Sequence, residues 1–393
     1  MKLVKIKVKG IPLFKDTLEV DFFAQQRVNA DDSEMLQELF SYKNSSIYLN
    51  NAIGLIGINA SGKTTTLKVI AFVIEMLNHK PINSIPTNKI MSKLDLNETV
   101  IFETYFYCED ETINKLETKV KKCPDEKNCG EKYIIVEERA WSKPVASIKS
   151  KEDMFNFQKR NISLERNNDA EFLLDDVSIS ISIMKRANAK EMFFWDMLNL
   201  TDYTILRVKG NFPMELVEFL DPSIEWIKCE DKGIDSERAE KIHLKFKGKE
   251  EIILRNILDL QDYLSSGTIK GLSIFMNAIF TFQSSGYLIV DELENHFNKE
   301  IVATLIRFFM DSKVNSGGGT LIFSTHYPEL LDEFKRNDCI YIIKNKEGIT
   351  AENLSRILKR NDIKKSEAYE SGYLEGTVPI YDSYIKLKKS LYK

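Results

Sequence analysis

Apolar and polar residues alternate with period two over Leu3-Val4-Lys5-Ile6-Lys7-Val8-Lys9, as in a strand with one buried face. Gly10-Ile11-Pro12 interrupts the pattern and Leu18-Glu19-Val20-Asp21-Phe22 resumes it. After a polar stretch, Ala52-Ile53-Gly54-Leu55-Ile56 is a short apolar run suited to a buried strand. From Gly62 to Leu77 apolar residues recur at helical spacing, and Thr99 to Tyr107 reads as another strand with alternating aromatics. Cys108 to Gly130 is rich in charged and turn-forming residues, which predicts a solvated loop or hairpin tip. Residues from about 150 to 225 are polar with scattered aromatics; they predict a mostly helical insertion, with Lys185 to Leu200 its best helix.

Past residue 240 the pattern becomes strongly apolar again. Ile242 to Phe246 alternates as a strand, Ile257 to Tyr263 is a short element, and Ile269 to Phe282 predicts an apolar helix. Tyr287 to Val290, Thr320 to Phe323 and Ile340 to Ile343 are short buried strands, with Ile301 to Met310 helical between the first two. Short apolar strands alternating with helices imply an α/β fold with a mostly parallel sheet. The chain has 393 residues, enough for two compact units or one large α/β unit carrying an insertion. The predicted organisation is one α/β domain split between residues 1–110 and 240–345. Residues 111–239 form an inserted β-hairpin and mostly helical region, and 346–393 a C-terminal tail, a candidate partner-binding segment. No repeat or sustained heptad pattern appears, so a long coiled-coil arm is not expected.

Four short motifs carry candidate chemistry. Gly57-Ile-Asn-Ala-Ser-Gly62-Lys63-Thr64 fits G-x-x-x-x-G-K-[ST], with a predicted strand before it and a helix after it. Such a loop lets backbone N–H groups curl around phosphate oxygens at the positive end of a helix. Lys63 would reach the β- and γ-phosphates and the Thr64 hydroxyl would ligate Mg²⁺. Next, Tyr287-Leu-Ile-Val-Asp291-Glu292 delivers paired carboxylates to the end of a buried strand. Asp291 would complete the Mg²⁺ shell, and Glu292 would orient and deprotonate an attacking water. Alone, a strand ending in Asp-Glu is common; behind a phosphate loop in the same chain it gains weight. The third motif, Leu264-Ser265-Ser266-Gly267-Thr268, offers a hydroxyl and amides at the start of the apolar helix, although an isolated Ser-Gly turn is more simply a helix cap. The fourth, Phe323-Ser-Thr-His326, ends a strand with a histidine able to sense a γ-phosphate. His79, His243 and His296 have no such context and read as structural.

Composition narrows the partners only slightly. Apolar residues make up 43% and charged ones 29%, ordinary globular usage that excludes a disordered or collagen-like chain. The net charge of −4 gives no argument for nucleic-acid binding. The opening Met1-Lys-Leu-Val-Lys lacks the apolar core of a signal peptide. The longest apolar stretches fall short of the ~20 residues a membrane span needs. A soluble, cytoplasmic protein without a membrane partner is expected. Its five cysteines (Cys108, Cys123, Cys129, Cys229 and Cys339) follow no disulfide framework and read as reduced thiols. Cys123 and Cys129 lack the further soft ligands of a zinc site.

In this order the four motifs resemble the ATP-binding-cassette (ABC) ATPase family. Lys63 and Thr64 match its Walker A motif, Leu264 to Thr268 its signature, Asp291 and Glu292 its Walker B, and His326 its switch histidine. The resemblance implies a P-loop parallel sheet with an antiparallel β subdomain, and ATP and Mg²⁺ as cofactors. Nucleotide would be held by Asn59, Ala60, Ser61, Gly62, Lys63, Thr64 and Thr65. Ser265, Ser266 and Gly267 would close on the ATP of a partner chain. Two nucleotides would thus be sandwiched in a head-to-tail homodimer or higher oligomer that hydrolyses ATP only when closed. Lys63 and Ser265 lie 202 residues apart, roughly twice the separation that transporter cassettes keep and far less than in the long-armed chromosome-organising members. That spacing, the Asp-Glu-x-Glu-Asn wording at Asp291 to Asn295 and the Lys365-Ser-Glu-Ala-Tyr-Glu-Ser-Gly-Tyr tail are similar to the RecF/OLD-like group. The likeness is greatest to ATPase components of bacterial anti-phage systems. Two departures stand out: residues 296–299 read His-Phe-Asn-Lys where the group has a small turn ending His-Pro, and no Q-loop glutamine follows in the strand region after residue 100. The residues after Ile343 are too few for the Toprim nuclease domain of OLD proteins.

Two functions of different kinds follow. The first is an ATPase sensor or scaffold of anti-phage defence, its nucleotide-gated dimer controlling a separate effector such as a Toprim-type nuclease or a toxin. The second is a RecF- or SMC-like repair or replication ATPase that binds DNA across the closed dimer, with strongly salt-dependent affinity. A transporter motor is disfavoured by the length of the insertion.

Overall fold

A computed structural model describes residues 1–43, 45–96, 98–125, 130–166, 173–198, 212–229, 241–255, 257–374 and 381–392. At its centre is a six-stranded sheet in the order Phe194–Met197, Tyr287–Val290, Thr320–Thr325, Ala52–Ile56, Ile340–Asn345, Ile349–Asn353. The first five strands are parallel and the last is antiparallel to its neighbour. Successive side chains point to opposite faces, so each of these apolar runs feeds two cores. Ile53, Leu55, Ile289 and Ile322 pack with the helix Lys63–Leu77. Ile56, Leu288, Val290, Leu321 and Phe323 pack with the helices Ser266–Ser284 and Lys299–Met310. Burial on both faces is why these strands are continuously apolar instead of alternating.

A second six-stranded sheet, wholly antiparallel, covers the far side of the Lys63–Leu77 helix. Its order is Leu18–Asp21, Lys2–Lys9, Thr99–Cys108, Thr112–Asp125, Gly130–Pro144, Leu164–Glu165. Two buried tyrosines of the parallel sheet pin it in place. The Tyr287 hydroxyl accepts from Leu3 N (2.7 Å), and that of Tyr341 from Asp21 N (2.7 Å). A mixed α/β fold with a parallel sheet and separate antiparallel sheets is what the structure shows, in agreement with the expected α/β class at that general level. Smaller antiparallel units are the pair Leu36–Tyr42 and Ser45–Asn50 and the three strands Ile224–Cys229, Ile242–Phe246 and Glu251–Leu254. No described helix is long and apolar enough to cross a membrane.

Two local expectations are corrected. The charged stretch after Cys108 is not a loop tip throughout, because Thr112–Asp125 is a long strand. Ile113, Leu116, Thr118 and Val120 are buried along it, so threonine holds one of the inward positions and the apolar alternation is diluted. Residues 126–129, including Cys129, lie outside the described set. The helix expected over Lys185 to Leu200 is also absent as such. A helix covers Ser180–Arg186, Asn188 turns left-handed (φ +48°), and Phe194–Met197 becomes an edge strand paired with Tyr287–Val290. Residues 199 and 200 are outside the described set. Between 150 and 225 the only other described α-helix is Met214–Leu220, so the described residues of this region are much less helical than the sequence pattern suggested.

Candidate functional site

The carboxyl ends of three adjacent parallel strands converge on one cleft. Ala52–Ile56 runs into the glycine loop, Tyr287–Val290 into Asp291 and Glu292, and Thr320–Thr325 into His326. This is the edge at which open α/β sheets place ligands. The cleft is lined by Leu13, the loop residues 59–65, Glu292, His326, Asn345 and Ile349.

The loop is shaped by its glycines. Gly62, the residue before the helix Lys63–Leu77, has φ +103° and contributes no side-chain cap. A Cβ there would fall 2.5 Å from Ile349 Cδ1, so the loop presses against the Ile349–Asn353 strand. At Gly57 a Cβ would meet the Ile343 carbonyl at 2.3 Å. Ala60 is left-handed as well (φ +60°), and its carbonyl accepts from Asn345 Nδ2 at 3.2 Å. The first amides of the helix have no intrahelical acceptor and face the cleft uncapped. The Ser61 hydroxyl is buried without a hydrogen-bond partner.

Lys63 is 5% exposed. Its ammonium donates to the loop's own carbonyls, Gly57 O (2.9 Å) and Ile58 O (3.2 Å). Burial lowers its pKa, and the nearby Asp291, Glu294 and Glu292 carboxylates oppose that shift. Lys63 Nζ also lies 3.2 Å from His326 Nδ1. An ammonium has no acceptor, so Nδ1 must accept; the ring proton of neutral His326 is then on Nε2, which points at Glu292 Oε1 3.5 Å away. The imidazole thus lies between lysine and carboxylate, one ring nitrogen near each.

The two carboxylates after Val290 are tied separately. Asp291 Oδ2 accepts from Thr64 Oγ1 (2.6 Å) and Asp291 Oδ1 from Ser324 Oγ (2.5 Å). The same Ser324 oxygen accepts from Glu292 N at 2.8 Å. Glu292 is left-handed (φ +45°), a conformation that costs a non-glycine residue about 1–3 kcal/mol. Its carboxylate accepts from Asn295 Nδ2 (2.5 Å), and its carbonyl from Lys270 Nζ (3.3 Å). Glu294 is buried; its Oε1 accepts from His326 N at 2.6 Å and its Oε2 has no hydrogen-bond partner.

These donors are suited to an anion with several oxygens: uncapped amides at a helix start, a desolvated ammonium and a buried free hydroxyl. The Thr64–Asp291 pair offers hard oxygens to a divalent cation. Among the described residues no group of three or more His, Cys, Asp or Glu side chains is arranged to hold a metal. Mg²⁺ does not require one, since it is usually held by one or two protein oxygens plus substrate phosphates and water.

The structure therefore brings Lys63, Thr64, Asp291, Glu292 and His326 together. Ser265, Ser266 and Gly267 are not among the residues lining this cleft. Ser265 Oγ accepts from Thr268 N (3.0 Å) as an N-cap, so the simpler reading of that serine holds within one chain. Ser266 Oγ lies 3.2 Å from His296 Nδ1. Sequence reasoning quoted Ser324, Glu294 and Asn295 within motifs without giving them a role, and passed over Lys270. The one available signal for Ser324 was a hydroxyl directly after the apolar Leu321-Ile322-Phe323 run and two residues before the histidine. The strand after residue 100, behind which no Q-loop glutamine was found, is not part of the parallel sheet. Thr99–Cys108 belongs to the antiparallel sheet, and the neighbour of Tyr287–Val290 is Phe194–Met197, followed by residues 199–211 outside the described set.

Comparison with known families gives a match over part of the chain. The model of the family described as "AAA domain, putative AbiEii toxin, Type IV TA system" matches residues 148–332. That span includes the Ser-Gly turn, Asp291, Glu292 and His326 and omits the glycine loop. The chain is thus similar to a broad AAA-ATPase and toxin–antitoxin grouping. No curated protein matches the chain.

Proposed function

We propose that this chain is an ABC-type ATPase that binds Mg-ATP at the Gly57–Thr64 loop and hydrolyses it slowly in a closed homodimer. The observation that carries the reading is the convergence of Lys63, Thr64, Asp291, Glu292 and His326 from three strand ends on one cleft. In it, the loop amides and Lys63 bind and orient the phosphates. Thr64 and Asp291 supply oxygens to the Mg²⁺, whose part when bound is to neutralise phosphate charge. Glu292 holds the attacking water and takes its proton, and His326, with Nε2–H toward Glu292, fixes that carboxylate and senses the γ-phosphate. The head-to-tail dimer is supported by the location of the Ser265–Gly267 turn outside the cleft of its own chain, which leaves it to serve the cleft of a partner.

The likeness to a toxin–antitoxin family over residues 148–332 supports a role in bacterial defence, in which the nucleotide state of the dimer restrains or releases a separate effector. ATP turnover by the purified protein, lost in Lys63→Ala and reduced in Glu292→Gln with ATP still bound, is the expected result. Turnover that survives Lys63→Ala would refute the assignment of the loop. In cells, protection against phage that persists in Lys63→Ala would remove the defence role as an ATP-dependent one.

A further inference from the structure

Three residues on one face of the helix Ser266–Ser284 grip the segment that carries Glu292. Ser266 Oγ meets His296 Nδ1 at 3.2 Å. Gly267 lies so close to the His296 carbonyl that a Cβ would approach the oxygen to 2.4 Å. One turn further along, Lys270 Nζ donates to the carbonyls of Glu292 (3.3 Å) and Asn295 (2.9 Å) and lies 5.4 Å from the centroid of the Phe297 ring. The gripped segment is strained: Glu292 (φ +45°) and His296 (φ +68°) are both non-glycine residues in the left-handed region. Strain of that kind persists only where surrounding contacts over-determine it. For Glu292 those contacts are Ser324 Oγ at the amide (2.8 Å) and, at the carbonyl, Asn295 N (3.0 Å) together with Lys270 Nζ (3.3 Å), which also holds the Asn295 carbonyl (2.9 Å).

We propose that Lys270 is a positioning residue for Glu292, and that through it the Ser265–Gly267 turn and the Glu292 segment of one chain move as a unit. This rests on the ATPase reading above. In a head-to-tail pair the turn contacts the nucleotide of the partner while Glu292 serves its own cleft. Closure on the partner's nucleotide therefore sets the water-activating carboxylate in the chain that donates the turn. Each site is armed by the occupancy of the other, and the connection is made inside a single chain.

The test uses Lys270→Met, which keeps the apolar stem over Phe297 and removes the donor, with Lys270→Arg as the conservative control. Hydrogen exchange in full-length protein without nucleotide reads the grip directly. Amides of 292–297 are expected to exchange about tenfold faster or more in Lys270→Met, with the body of the helix Ser266–Ser284 unchanged and protection restored in Lys270→Arg. Unchanged exchange at 292–297 would overturn the proposal whether or not the protein turns over ATP. In steady-state kinetics Lys270→Met should lower kcat about tenfold or more, with KM within about twofold. A rise in KM at constant kcat would mean that Lys270 serves nucleotide binding instead. Mixed dimers isolated with two affinity tags decide the direction of the coupling. Lys270→Met and Glu292→Gln on the same chain, opposite an unsubstituted chain, should leave one working site, and on different chains none; the reverse pattern would place the action of Lys270 in trans and refute the claim. Absence of any ATP turnover that Lys63→Ala removes would instead count against the parent reading, with the exchange result still standing for Lys270 as the holder of the segment.

Discussion

Ser324→Ala is the substitution that most directly tests the geometry of the site. The hydroxyl it deletes is fully buried and does two things: it donates to Asp291 Oδ1 (2.5 Å) and accepts from Glu292 N (2.8 Å). A hydrogen bond to a carboxylate is worth about 1.5–3 kcal/mol, and a buried amide left without an acceptor costs about 1–3 kcal/mol. Because part of that loss is recovered by relaxation, a net cost of about 2–4 kcal/mol is expected. It falls on a residue, Glu292, already held in a left-handed conformation, so the segment has a relaxed alternative to move into. If half of the cost is felt as misplacement of Glu292, about 1–2 kcal/mol of barrier, turnover falls about 5- to 30-fold. Urea unfolding and steady-state ATP hydrolysis measure the two parts separately, and the ATP affinity of Glu292→Gln/Ser324→Ala against Glu292→Gln checks that binding is spared. Ser324→Ala with unchanged stability and unchanged kcat would refute the role of the hydroxyl as the link between the two carboxylates.

Gly62→Ala should cost about 2–4 kcal/mol in urea unfolding and weaken nucleotide binding, since it adds strain at φ +103° and drives a Cβ into three carbons of Ile349. Combining it with Ile349→Ala should recover the overlap but not the dihedral strain, so full recovery would show the strain argument to be wrong. Lys2 is buried and donates to the carbonyls of Ser285 (2.7 Å) and Gly318 (2.6 Å); burial pulls its pKa down to about 8 from 10.5. The unfolded chain then binds the proton more tightly than the folded one between those values, so stability rises with pH in that window. Relative to Lys2→Met, the wild type should gain about 1–1.5 kcal/mol between pH 8 and 9.5 in urea melts. A loss over that range would reverse the assigned sign.

The sequence alone determined the parallel core and the loop at its edge. Strands such as Tyr287–Val290 and Thr320–Thr325 are buried on both faces, so their identity is written in short local apolar runs, Tyr287 to Val290 and Leu321 to Phe323. The glycine loop depends on local backbone freedom at Gly62, and this too is a property of neighbouring residues. Tertiary structure alone decided the remainder. Thr112–Asp125 is a strand because Thr99–Cys108 and Gly130–Pro144 flank it, although its charged outer face resembles a loop. Phe194–Met197 is a strand because Tyr287–Val290 offers it an edge. The partners of Ser324, Lys270 and Lys2 come from 22 to 316 residues away along the chain. Periodicity records which face of an element is buried; it carries no record of which distant backbone group that face will meet, and it is those meetings that set the geometry of Glu292.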